Sequence, residues 1–181
     1  MLSTNLIKPA CWLSALLAFS LAGCGVTQSI TDGTKAVYTA VFYKKIKVLH
    51  LDFIAREALN TDSRESNSLS EPVVVRVYQL KDRKNFDETV YQQLLKNGDT
   101  ILKADLLATR DVVIKPGGDA NLDMPMEEGA QFVAVAGLFR HPDMVNNTWK
   151  QVLRREDLDP VKPRVLEAGN NHLALQPLKE D

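Results

Sequence analysis

The chain has 181 residues, 22 Lys and Arg against 23 Asp and Glu, and only two cysteines. That is the length of one domain with a real core. So even a charge balance supplies no basic field to hold nucleic acid or anionic lipid.

An N-terminal stretch whose only side-chain charge is Lys8 leads into a short apolar run, Ala10 to Ser20, and then Leu21-Ala22-Gly23-Cys24. The run falls short of the ~20 apolar residues of a membrane span. Small residues before a cysteine read as a bacterial secretion signal ending in a lipobox. Residues 1–23 are then the signal peptide, cut between Gly23 and Cys24. The Cys24 thiol takes a diacylglycerol and the new amine is acylated, so palmitate-type lipid is the expected covalent group, with no other cofactor. Two acyl chains suffice for stable anchoring. Gly25 follows Cys24 where an Asp would resemble an inner-membrane retention signal. The expected location is therefore the outer membrane, lipid-anchored, with the domain facing the periplasm. Removing 23 of 181 residues leaves 158, with 21 basic against 23 acidic side chains. Cys11 departs with the signal and Cys24 is lipidated, which leaves no thiol for a disulfide, a nucleophile or a metal.

Residues 24–35 comprise the lipidated cysteine and a small, polar tether whose ten central residues reach up to roughly 35 Å. The domain is expected over 36–181. Ala36, Val37, Ala40 and Val41 keep helical spacing. Lys45 to Ala55 alternates as a strand, with Leu49, Leu51 and Phe53 on one face and His50 and Asp52 on the other. Arg56 to Pro72 turns polar and reads as an exposed loop. Val73 to Leu80 is a second strand, with Val73, Val75 and Val77 inward and Arg76 and Tyr78 outward. Asn85 and Glu88 resemble a capping box. Phe86, Val90, Leu94 and Leu95 then continue a helix that Gly98 is placed to end. A further helical turn over Ile101 to Ala108 completes a helical insertion at about 85–108. Asp111 to Lys115 and Ala120 to Met124 flank the turn Pro116-Gly117-Gly118 and read as a hairpin. Gln131 to Phe139 reads as a central strand, and Thr148 to Arg154 as another. Asp159 to Pro163 is loop. Arg164 to Glu167 and His172 to Gln176, joined by Gly169-Asn170-Asn171, finish the pattern. About eight short strands with one helical insertion after the second favour a β-sandwich.

Catalytic and metal signatures are missing. His50, His141 and His172 lack partners at metal-ligand spacing. No Gly-x-Ser-x-Gly occurs, and Gly117-Gly118 opens no helix that could cradle phosphate. Glu127-Glu128 reads as a solvated turn. Glu156, Asp157 and Asp159 lack calcium-loop spacing, and Trp149 reads as core. The expectation is that the protein is not an enzyme.

The lipobox is followed in order by Leu49-x-Leu51-x-Phe53, Leu59-Asn60, a polar loop, and Pro72-Val73-Val74-Val75-Arg76-Val77-Tyr78-Gln79-Leu80-Lys81. Phe86, Asp105-Leu106-Leu107, Pro116-Gly117 and Phe139-Arg140 come next. In this combination the chain resembles the TssJ (SciN) family, the outer-membrane lipoproteins of the bacterial type VI secretion system. The most specific piece is Val75 to Lys81, a string that neither strand propensity nor a core demands. The resemblance implies a mainly-β, transthyretin-like sandwich of two four-stranded sheets with a small helical insertion, and a structural role without catalysis. It implies binding to the periplasmic C-terminal domain of TssM, an inner-membrane protein that also holds TssL. The TssJ-TssL-TssM complex spans the envelope. In the family the loop between the first two strands, here Glu57 to Glu71, contributes to that binding. The candidate contacts are Asn60, Asp62, Arg64, Glu65, Asn67 and Leu69, with Leu69 the apolar anchor. By the residues alone, a pilotin or assembly lipoprotein of another secretion system, or a periplasmic ligand-binding lipoprotein, also fits. A sugar or peptidoglycan binder would call for exposed aromatics, whereas 7% of the chain is aromatic and mostly at core-like positions.

Overall fold

The computed structural model describes residues 46–62, 64 and 69–178. Gly23, Cys24, the tether, the helix expected at Ala36 to Val41, and the loop residues Glu65 and Asn67 lie outside them. The strands are β1 (Val48–Leu59), β2 (Val73–Leu80), β3 (Leu106–Ile114), β4 (Asp119–Pro125), β5 (Phe132–Gly137), β6 (Lys150–Arg154), β7 (Arg164–Asn170) and β8 (His172–Leu175). They form two four-stranded sheets, sheet A in the order β4-β1-β7-β8 and sheet B in the order β3-β2-β5-β6. Among the described residues only the β1–β7 pair is parallel. The expected mainly-β sandwich of two four-stranded sheets is the fold observed.

Strand alternation builds the core. Leu49, Leu51 and Phe53 of sheet A and Val73, Val75 and Val77 of sheet B are all fully buried. They belong to one apolar cluster with Leu122, Met124, Val133, Val135, Leu153 and Leu166, the interdigitated interior of a face-to-face sandwich.

Several local expectations are corrected. β1 continues to Leu59 instead of stopping at Ala55, because Leu59 still pairs with Asn170 and the Arg56 carbonyl accepts the Gly117 N–H at 3.2 Å. Polar residues at a strand's end need no burial once their backbone is paired. β3 and β4 do not make a hairpin. β3 pairs with β2 and β4 with β1, so the Pro116–Gly118 turn crosses between sheets. Alternation identifies a strand's buried face but not its partner. Gly117 holds φ +66, and a Cβ there would lie 2.4 Å from the Glu57 carboxylate. For the same reason β1 and β2 face each other across the core and are not neighbours in a sheet.

The helical insertion is shorter than expected and broken. Helix α1 is Lys84–Glu88 and helix α2 is Tyr91–Ile101, while the chain from Leu106 is already β3. No capping box forms. Asn85 lies inside α1 and its amide donates to Asp105 at 2.6 Å, while Asp82 accepts the Lys84 N–H at 2.7 Å. The helix breaks at Thr89 and Val90, leaving Val90 and Leu95 exposed while Phe86, Tyr91, Leu94 and Leu102 are buried. α2 is kinked at Asn97 (φ −141, ψ 33), so its first helical run breaks after Lys96, next to Gly98 as expected. The chain then resumes a last helical turn, and a Cβ at Gly98 would meet the Tyr78 hydroxyl at 2.5 Å. Tyr78 does point to the outer face of sheet B, but the insertion covers that face and the side chain is fully buried. Its ring lies 6.0 Å from that of Phe86, and Tyr91 meets Trp149 edge to face at 5.0 Å. Lys150 donates to the Phe86 and Asp87 carbonyls at 3.3 and 2.8 Å and rests against the Phe86 and Trp149 rings. That cation satisfies the carbonyl end of α1. Ala134 and Ala136, fully buried, keep the sheet low enough for the helices to pack closely.

Candidate functional site

β1, β3, β5 and β7 all finish at one pole of the sandwich, which gathers the β1–β2 loop (60–72), the β3–β4 turn, the β5–β6 loop (138–149) and the β7–β8 turn. The chain enters β1 at the other pole. There the Arg155 guanidinium donates to the Ile46 carbonyl at 3.1 Å and to the Glu127 and Ala130 carbonyls at 2.8 Å each.

The β1–β2 loop begins with a built-in bend. Asn60 takes φ +51, a left-handed conformation that asparagine tolerates better than most residues. It is buried, and each of its groups is used. Its Nδ2 donates to the Pro72 carbonyl at 3.1 Å, and its Oδ1 accepts the Arg140 N–H at 2.8 Å. Its own N–H donates to the Asn170 carbonyl. The Arg140 side chain donates back to the Asn60 carbonyl at 3.0 Å and to the Leu69 carbonyl at 3.5 Å, and pairs with Glu71 at 3.2 Å. Asn171 donates to the Thr61 carbonyl at 2.8 Å. Three loops are thereby tied together.

A second tie is charged. The buried Asp62 accepts from the Arg64 N–H and from its guanidinium, at 3.0 Å each, and lies 2.7 Å from His141 Nε2. These bonds, with Arg64 first among them, hold the Asp62 carboxyl down to about 2. Arg64 also reaches His141 Nδ1 at 2.8 Å. The same guanidinium nitrogen is 2.9 Å from Nε2, so acid, guanidinium and imidazole form one cluster.

Of the sequence-predicted contacts, Asn60 and Asp62 are buried and hold the loop's shape, whereas Arg64 and Leu69 are exposed, Leu69 by 70%. Residues to which the sequence assigned no role in the β1–β2 loop join them. Arg140 and His141 stitch the loops, and Met144 and Val145 stand exposed on the β5–β6 loop. The available signal was the pairing of Asp143 with Asn146 and Asn147, residues that favour turns.

The string Val75 to Lys81 now has an account. Val75 and Val77 fill the core, Arg76 pairs bidentately with Asp111 at 2.7 and 2.8 Å, and Tyr78 lies under the insertion. Gln79, fully buried, donates to the Pro125 carbonyl at 2.8 Å and accepts the Glu127 N–H at 2.7 Å. Leu80 is also fully buried, and the Lys81 N–H donates to the Asp105 carbonyl at 2.9 Å. Among the described residues no group of three or more His, Cys, Asp or Glu side chains is placed to hold a metal ion. His50 lies 2.5 Å from Asp123, and Trp149 is buried in the core.

The profile of the T6SS-SciN family (Type VI secretion lipoprotein, VasD, EvfM, TssJ) matches residues 47–176. Solved structures are similar over the same region. A chain of the structure described as "T6SS protein TssM C-terminal domain (869-1107) from EAEC" is 44% identical, covers 74% of this chain and 100% of its own, and superposes with a TM-score of 0.66. A chain of the structure described as "Type VI membrane complex" is 45% identical, with 74% and 100% coverage and a TM-score of 0.68. Serratia marcescens Lip, described as a membrane bound component of the Type VI Secretion System, shares the fold at 17% identity, with 72% and 98% coverage and a TM-score of 0.62. No curated protein matches the chain.

Proposed function

This chain belongs to the T6SS-SciN family of type VI secretion lipoproteins, and on that premise we propose that it is a non-enzymatic scaffold of the secretion apparatus. In this reading it is anchored in the outer membrane through Cys24 and binds the periplasmic C-terminal domain of TssM, and through it TssL. The observation that carries the reading is the 44% identical chain, matched over its whole length, in the structure described as a TssM C-terminal domain. The polarity of the domain supports it. Ile46 lies at the pole opposite the loops, so within the described domain the loops are gathered at the end away from the start of β1. In the β1–β2 loop, Arg64 and Leu69 then make contacts, while Asn60 and Asp62 hold the surface in shape. Glu65 and Asn67 remain contact candidates in this reading.

Two experiments test it. Cys24→Ser should abolish labelling by a palmitate analogue and outer-membrane fractionation; label retained in the variant overturns the anchor. Leu69→Asp, at a side chain 70% exposed, should weaken binding of the purified TssM C-terminal domain in calorimetry while the melting temperature holds. Full-strength binding by that variant removes the β1–β2 loop from the interface.

A further inference from the structure

We propose that the β5–β6 loop supplies the second half of the docking surface, with Met144 and Val145 as an apolar tip that the TssM C-terminal domain covers together with Leu69. The inference rests on the function proposed above and adds residues to its interface. Val145 is 88% exposed and Met144 48%, so neither serves the core. Yet the turn that presents them is built with care. Asp143 accepts the Val145 and Asn146 N–H groups at 2.9 and 3.0 Å and the Asn146 side-chain amide at 2.7 Å. Those bonds, the Asn146 amide first, lower the Asp143 pKa. Asn147 then turns the chain at φ +52 and accepts from Trp149 Nε1 at 3.3 Å, which seats the loop on a buried core residue.

The base of this loop is fixed to the β1–β2 loop through Arg140 with Asn60, and through His141 with Asp62 and Arg64. Leu69 and the Met144–Val145 tip therefore stand in a set relation before any partner arrives. Exposed apolar side chains on a preorganised frame lose little conformational entropy when covered, and such anchors ringed by polar groups are where interface energy concentrates. A protein occupant fits better than lipid. The tip lies at the pole whose loops also carry Arg64, Glu71, Arg140, His141 and Asp143, a surface of both charges.

The test is calorimetry between the full chain, purified in detergent, and the purified TssM C-terminal domain. The Met144→Ser, Val145→Ser double variant should bind roughly tenfold more weakly or worse, with an unchanged melting temperature. Ile54→Ser, which removes an exposed apolar group from the outer face of sheet A, should bind as the wild type does. If the tip variant binds at full strength while the wild type binds, the inference falls and the proposed function stands. If the wild-type chain itself does not bind, the proposed partner falls and this inference with it.

Discussion

On the outer face of sheet B, Tyr78 is fully buried beneath two short helices; on the outer face of sheet A, Ile54 is 45% exposed, with nothing packed over it among the described residues. The strands that carry them alternate equally well. What differs is the company each face keeps. Sheet A's outer face closes on itself through cross-strand polar pairs: His50 with Asp123 at 2.5 Å, Asn121 donating to Asp52 at 2.8 Å, and Arg56 with Glu167. Sheet B's outer face instead offers small alanines and aromatic rings, and takes up Phe86, Tyr91 and Leu94 as a second core. Among the described residues, the apolar cluster thus extends from between the sheets through sheet B to its outer face, while the outer face of sheet A carries polar pairs.

Five measurements break or sharpen this contrast. The largest effect belongs to the interior that both sheets share. Val77→Asp buries an unpaired charge, costing several kcal/mol out of a typical total of ~5–15, and the domain should fail to fold. A melting curve like wild type would show that Val77 does not face the core. Next is the covered face. Tyr78→Ala empties a fully buried aromatic site and should cost about 3–5 kcal/mol, read as a shifted urea midpoint. A cost below about 1 kcal/mol would mean that the insertion is not a core in its own right.

The third measurement uses alkali. Burial pushes the Tyr78 and Tyr91 hydroxyls up to about 12, against ~10 for an unfolded tyrosine. Because the folded pKa values are raised, their contribution is complete below about pH 10 and is lost as pH climbs towards 12. Urea midpoints should fall over that window, and Tyr78→Phe should blunt the fall. An unaltered slope in the variant would assign the fall to other groups. The fourth takes the loop pole in the opposite direction. Asp62 is held down to about 2 against ~3.9 unfolded. Its contribution is present above about pH 4 and disappears as pH drops towards 2. Asp62→Asn should flatten that acid limb in thermal melts, and a limb of unchanged steepness would exclude Asp62 as its source. The smallest effect is expected on the bare face, where Ile54→Ser should shift stability by no more than ~0.5 kcal/mol. A larger loss would show that something covers sheet A after all.

Much of the fold was legible because alternation is a local property. Most strands of the sandwich, though neither the end of β1 nor the start of β3, and the core triplets at Leu49, Leu51, Phe53 and Val73, Val75, Val77 follow from neighbours two residues apart. The candidate site was legible only in outline. A polar run after Leu59 marks a loop, but Asn60 and Asp62 look the same in sequence as Arg64. Only their partners at Arg140 and His141, 80 and 79 residues further on, make them buried staples of the surface.

By itself, the sequence located the strands in outline, though it ended β1 at Ala55 and read Leu106–Ala108 as helix. It also determined the apolar faces of β1 and β2, the turn at Pro116–Gly118, and a family resemblance that the profile match bears out. It did so because those features depend on side-chain chemistry within a few residues. The tertiary structure alone decided that β3 and β4 join different sheets, that Tyr78 is core and Ile54 is surface, and that Leu69 shares its pole with Met144 and Val145. The pairing of strands, the covering of a face and the clustering of loops are contacts between distant segments. Their free energy appears only when the chain has closed on itself.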